Sequence, residues 1–104
     1  MASPIRHIVM WRLRGETPEE RAEARRKVKQ AFEGLRGLIE GLNDIEVGVD
    51  ISNVDYACDV VLVSEFANAA DLERYATHPE HLRVRRELGD LRIERHQVDY
   101  IPGG

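Results

Sequence analysis

Residues 66–88 read FANAADLERYATHPEHLRVRREL, and the fold turns on this run. Phe66 closes an apolar stretch that reads as a strand. Asn68 can cap a helix, and Asp71, three residues on, can complete a capping box. Leu72, Tyr75 and Ala76 then share one side of that helix. His78 precedes a proline, which disfavours the helical region, so the helix is predicted to end or kink there. Pro79 suits the first turn of a second helix, where its missing N–H costs nothing. Leu82 and Leu88, with Val84 as a further candidate, are expected to anchor that second helix. Two imidazoles, His78 and His81, and the phenol of Tyr75 are thereby held near one junction. Any chemistry in this chain is expected there.

Upstream, Ile5, His7, Val9, Trp11 and Leu13 alternate with Arg6, Ile8, Met10 and Arg12. One face is apolar and the other is apolar at its centre, which predicts a strand covered on both sides. His7 lies on the more apolar face, either as a core histidine bonded to backbone or as a pocket group. Thr17, Pro18 and Glu20 spell a helix start: cap, first-turn proline and capping-box partner. Ala24, Val28, Ala31, Phe32, Leu35, Leu38, Ile39 and Leu42 continue it as an apolar stripe on a long helix. Gly34 and Gly37 weaken its end, and Gly41 marks the far limit.

Ile45, Val47, Val49 and Ile51 alternate as a second strand, and residues 52–56 read as a polar loop. Residues 59–66 form a third strand, again apolar in both phases. Residues 91–101 form a fourth, more mixed strand, suited to an edge or an intersubunit position. The order is strand, helix, strand, strand, helix in two parts, strand. That is an α+β, ferredoxin-like split βαβ protomer with a four-stranded antiparallel sheet and helices on one face. The other face carries too much apolar surface to stay wet, so a homodimer through sheet faces is expected.

Composition narrows the class. The 104 residues are expected to form a single domain, 1–104. A net charge of −4 gives no general attraction to nucleic acid or to an anionic membrane. The charged stretch Arg21–Lys29 carries both signs and no aromatic stacking positions, so it reads as a solvated helix face. Cys58 is the lone cysteine, which excludes an internal disulfide and a cysteine metal cluster. No apolar run approaches the roughly 20 residues that cross a bilayer, and the opening residues do not read as a signal peptide. A soluble cytoplasmic protein is expected, with no nucleic-acid and no membrane partner.

Five marks in order carry a family resemblance: Ile5-Arg6-His7, the strand 59–66, Leu72-Glu73-Arg74-Tyr75, His78-Pro79-Glu80-His81 and Val98-Asp99-Tyr100. Together they resemble the dimeric α/β barrel, or stress-responsive A/B barrel (Dabb), family over nearly the whole chain. The resemblance implies a ferredoxin-like protomer whose sheet joins a second copy in a β-barrel. It does not fix one activity. One plant member is a cofactor-free polyketide cyclase that closes a linear polyketide by an intramolecular aldol step. Its catalytic tyrosine matches Tyr75, its catalytic histidine matches His81 and its early pocket histidine matches His7. Another pocket histidine of that enzyme falls at Val60 here.

By that resemblance Tyr75 and His81 are the catalytic candidates, and His7 and His78 the binding candidates, around a small aromatic or polyketide-like ligand. His81 would take a proton from a carbon beside a carbonyl, and Tyr75 would donate to the carbonyl oxygen. The structural alternative uses the same residues otherwise: His78 and His81 brace the broken helix, and Tyr75 packs on the sheet. A non-enzymatic stress-response or structural dimer and a cofactor-free aromatic oxygenase are the other classes open to this fold. No metal is expected: His7, His78 and His81 lack a convincing further ligand. Asp71 is explained by the helix cap, and Asp59 and Asp99 as strand-end or interface groups.

Overall fold

Three capping sequences start the three helices in the computed structural model, which describes residues 2–104. The Thr17 hydroxyl accepts from the Glu20 N–H at 3.1 Å and opens α1 (Pro18–Glu33). Asn68 Oδ1 accepts from the Asp71 N–H at 2.8 Å and opens α2 (Ala69–Thr77). His78 is extended, at φ −63° and ψ 137°, as a residue before proline should be, and α3 (Pro79–Leu88) restarts directly after it. A side-chain cap of this kind contributes about 1 kcal/mol. The capping box at α2 is only half made, because the Asp71 carboxylate pairs with Arg74.

Four strands complete the chain: β1 (Ile5–Leu13), β2 (Leu42–Val49), β3 (Val60–Phe66) and β4 (Arg92–Tyr100). They lie in the order β2-β3-β1-β4, and every neighbouring pair is antiparallel. This is the ferredoxin-like α+β topology predicted from the element order, with β4 at an edge. Val9, Trp11 and Leu13 of β1, Ile45 and Val47 of β2, and Val60, Leu62 and Phe66 of β3 share the helix-covered face. Val28 and Phe32 of α1, Tyr75 of α2, and Val84 and Leu88 of α3 close over them. Trp11 stacks on Phe32 with ring centroids 5.0 Å apart.

Two boundaries differ from the sequence expectation. The first long helix ends at Glu33, with Gly34 as its C-cap. The chain then descends through tight turns, in which the Leu38 N–H donates to the Leu35 carbonyl and the Leu42 N–H to the Ile39 carbonyl. Gly37 and Gly41 supply the positive φ values, +81° and +85°, that such turns need. Leu35 and Ile39 stay buried beyond the helix, whereas Leu38 is exposed. A Cβ on Gly41 would also lie only 2.4 Å from the Asp71 carboxyl carbon, so this turn packs directly on α2. The second strand stops at Val49, and Ile51 is 93% exposed. There the Asp50 carboxylate accepts from the Ser52 hydroxyl and the Asn53 N–H and bends the chain out of the sheet.

The opposite sheet face has no helix over it. Val63, Ile8 and Val98 form one lateral row across it, and Val61, Met10 and His96 the next. Met10, Val98 and Tyr100 are exposed there. Among the described residues, no helix is long and apolar enough to cross a membrane.

Candidate functional site

The helix break aims His81 back toward α2. Its Nδ1 lies 3.1 Å from the Ala76 carbonyl, an oxygen that can only accept, so the neutral ring carries its proton on Nδ1. Nε2 is then the basic nitrogen. The ring lies against Tyr75, with centroids 4.2 Å apart. His7 lies edge-on to Tyr75 with centroids 6.1 Å apart, and edge-on to Phe66 at 6.2 Å. His7, Tyr75 and His81 thus form one contiguous chain of rings. His7 is held by a carboxylate and not by backbone: its Nδ1 donates to Asp99 Oδ1 at 2.5 Å. The antiparallel register of β1 and β4 sets His7 directly opposite Asp99.

Tyr75 is buried, and among the described residues its hydroxyl has no hydrogen-bond partner. Burial pushes the phenol well above its ordinary pKa, so it stays protonated as a donor. Burial likewise lowers the His81 pKa, and the nearby Arg85 and Arg92 add to the lowering, against the bond to Ala76. His81 forms part of the wall of a cleft of about 430 Å³ between α2, α3 and the helix-facing side of β4. Trp11, Ala76, Arg85, Arg92 and Arg95 share that wall. Tyr75 and His7 are both buried and neither forms the cleft surface, although the sequence reading expects Tyr75 to face a pocket with His7 at its wall. His78 stands apart from the cleft: its Nδ1 accepts from the Glu80 N–H at 3.0 Å and caps α3.

A family described as the stress responsive A/B barrel domain matches residues 5–102. The chain belongs to this family. Among solved structures similar to this A/B barrel domain is a dimeric protein of unknown function and ferredoxin-like fold from Bacteroides fragilis. It is 36% identical, with a TM-score of 0.81 over 94% of this chain and 95% of that one. A Dabb family protein with a ferredoxin-like fold from Mesorhizobium loti is 25% identical, with a TM-score of 0.72 over 98% and 99% of the two chains. An uncharacterised protein of Streptomyces coelicolor is 34% identical over 77 residues, 74% of this chain and 78% of that protein.

Sequence reasoning missed several groups at the site of this A/B barrel domain. Asp99 was assigned to a strand end or an interface, yet it holds His7 from a position 92 residues away. Arg85, Arg92 and Arg95 carry no sequence signal, because nothing local separates them from surface arginines. Ala76 was placed on the apolar side of its helix, but it is exposed at the cleft. Asp59 does act at a strand end: it accepts from the Leu13 N–H at 2.7 Å and from both Nε and Nη2 of Arg25.

The side chains that could hold a metal are not the histidines weighed from sequence. Among the described residues, Cys58, Glu94 and His96 bring one ligand atom each within 4.8 Å of one another, on the open sheet face. Glu94 is already engaged there by Arg12 Nε at 3.1 Å and by His96 Nε2 at 3.0 Å.

Proposed function

We propose that Tyr75 and His81 form the acid–base centre of a cofactor-free, polyketide cyclase-like catalyst acting on a small carbonyl compound. The observation that carries this reading is the Tyr75 hydroxyl, buried without a partner while its ring rests on His81. Leaving such a group unpaired costs about 1–3 kcal/mol, and a ligand oxygen would relieve it once the His81 ring swings aside to open the phenol to the cleft. His81 Nε2 takes a proton from the carbon between two carbonyls. The C–H electron pair moves toward the neighbouring carbonyl oxygen, and Tyr75 donates its hydrogen bond to that developing enolate. The enolate carbon then attacks a second carbonyl of the same chain, and the new alkoxide takes the proton back from the imidazolium. His7, braced by Asp99, packs edge-on against the Tyr75 ring. His78 keeps a structural role in this reading, by capping the helix that carries His81.

The test is a panel of linear poly-β-keto substrates, with product identity followed by mass spectrometry. Tyr75→Phe should lower turnover while the fold is kept, and His81→Ala should lower it at least as much. Unchanged rates in both variants would remove the acid–base assignment.

The catalyst is, in the same reading, a homodimer through the open sheet faces and a single domain working in the cytoplasm, where Cys58 stays a free thiol. Exposed Met10, Val98 and Tyr100 on the uncovered face support the dimer. Val98→Glu should weaken assembly and stability together, since the two are linked by mass action. Sedimentation across a wide concentration range reads the first and thermal unfolding the second; a stable monomer at micromolar concentration would end the dimer reading.

A further inference from the structure

The cleft beside His81 is lined by three guanidinium groups, Arg85, Arg92 and Arg95. Glu94 is its one acidic lining residue, and that carboxylate is engaged by Arg12 and His96. Several arginines elsewhere in the fold meet carboxylates, Arg25 at Asp59, Arg12 at Glu94 and Arg83 at both Glu80 and Glu87, while Arg21 and Arg36 donate to backbone carbonyls. Among the described residues, Arg92 makes no ion pair and no side-chain hydrogen bond, although it is partly buried. Its guanidinium lies over the Trp11 ring at 5.0 Å and near Phe32 at 5.7 Å. Burial, then Arg95 and Arg85, lower its pKa. Among the described residues, Arg85 likewise meets no carboxylate and Arg95 reaches only the amide oxygen of Gln97.

A desolvated cation among like charges is unfavourable unless something anionic completes it. A guanidinium answers a carboxylate with two parallel N–H donors. The rest of the wall is the Trp11 indole, Ala76 and Ile93, apolar surface suited to a carbon skeleton. A volume of about 430 Å³ suits a small molecule.

We propose that the cleft takes a small organic carboxylate, gripped by Arg92 with Arg85 and Arg95 beside it, its apolar body lying against Trp11. The assignment rests on the reading of this cleft as the ligand site, and not on the proton transfer proposed for Tyr75 and His81. It names the substrate class: a carbonyl compound that also bears an acid group, with the acid at the β4 side of the cleft and the reacting carbon beside His81.

Isothermal titration at low ionic strength tests it, with benzoate, phenylacetate and 2-naphthoate, their primary amides, and inorganic phosphate as probes. At least one carboxylate should bind about tenfold tighter than its amide and tighter than phosphate, as a charge-assisted bidentate contact requires. Arg92→Gln should abolish that preference and leave amide binding unchanged. Arg92→Lys, which keeps the charge and loses the fork, should recover only part of it. Arg85→Gln, at an exposed helix position, should lower carboxylate affinity less and guards against a misfolded Arg92 variant. Equal affinity for acids and amides, no binding by any of the three acids, or phosphate binding tightest would each overturn the proposal. A carboxylate preference that needs Arg92, alongside unchanged turnover in Tyr75→Phe and His81→Ala, would uphold the carboxylate site and remove only the acid–base reading.

Discussion

The two ends of the helix-covered sheet face are finished differently. Over β2, α1 leaves its buried polar groups answered. Val28, Phe32, Ile45 and Val47 are fully buried. Lys29 Nζ donates to the Val47 carbonyl at 2.7 Å and to Glu33 at 2.8 Å, and Glu33 accepts from the Val47 N–H at 3.0 Å. Arg36 donates to the Ile45 carbonyl just beyond. Over β4, the broken helix α2–α3 leaves a cleft, a phenol with no partner and a partly buried arginine with no carboxylate. One end of the sheet is closed by packing and matched polar groups. The other leaves the Arg92 guanidinium unmatched at the cleft and the Tyr75 phenol unmatched beneath it. Unmet donors beside a complete core are stability left unused.

Substitutions at the two ends should therefore differ in sign. Leu35→Ala, which truncates a fully buried side chain in the turn after α1, should lose about 2–5 kcal/mol of stability in chemical denaturation. A loss below that range would mean that this turn can collapse around the cavity and is less tightly built than it looks. Tyr75→Phe, at the cleft end, should do the reverse and gain about 1–3 kcal/mol, because it deletes an unpaired buried hydroxyl and keeps the ring. A destabilised Tyr75→Phe would show that the hydroxyl is satisfied in solution, and would erase the contrast between the ends.

Glu33 offers a finer test of the closed end. The bonds from Lys29 and then from the Val47 N–H hold its pKa below the ordinary 4.5. Its contribution is present above that unfolded value and is lost as pH falls through the lower folded value. Glu33→Gln should flatten the stability–pH curve in that window and remove about 0.5–1.5 kcal/mol at neutral pH. The smallest effect is expected at His81. Its lowered pKa keeps the neutral, basic ring to more acidic pH than the ordinary imidazole value of 6.5. Arg85→Gln removes a positive neighbour and should move that value upward in an NMR titration. An unmoved value would mean that desolvation alone, and not the cleft's charge, governs the ring.

The sequence by itself determined the element order, the helix starts and the ring cluster's helical half. Thr17-Pro18, Asn68 and His78-Pro79 act within a few residues of themselves, so their effect is written locally and survives in the fold. Alternation in β1 and β3 likewise fixed which side chains meet the helices, since a strand's period leaves no other choice. Helix periodicity ran too far at Leu38, because the same spacing of apolar residues continues into turns that two positive-φ glycines make. Tertiary structure alone decided that Asp99 would hold His7, that the Tyr75 hydroxyl would go unpaired and that Arg92 would be left without a carboxylate. Each of these depends on strand register and on which groups happen to be absent nearby. A missing partner has no sequence pattern: it exists only once the chain has closed around the place where a partner could have been.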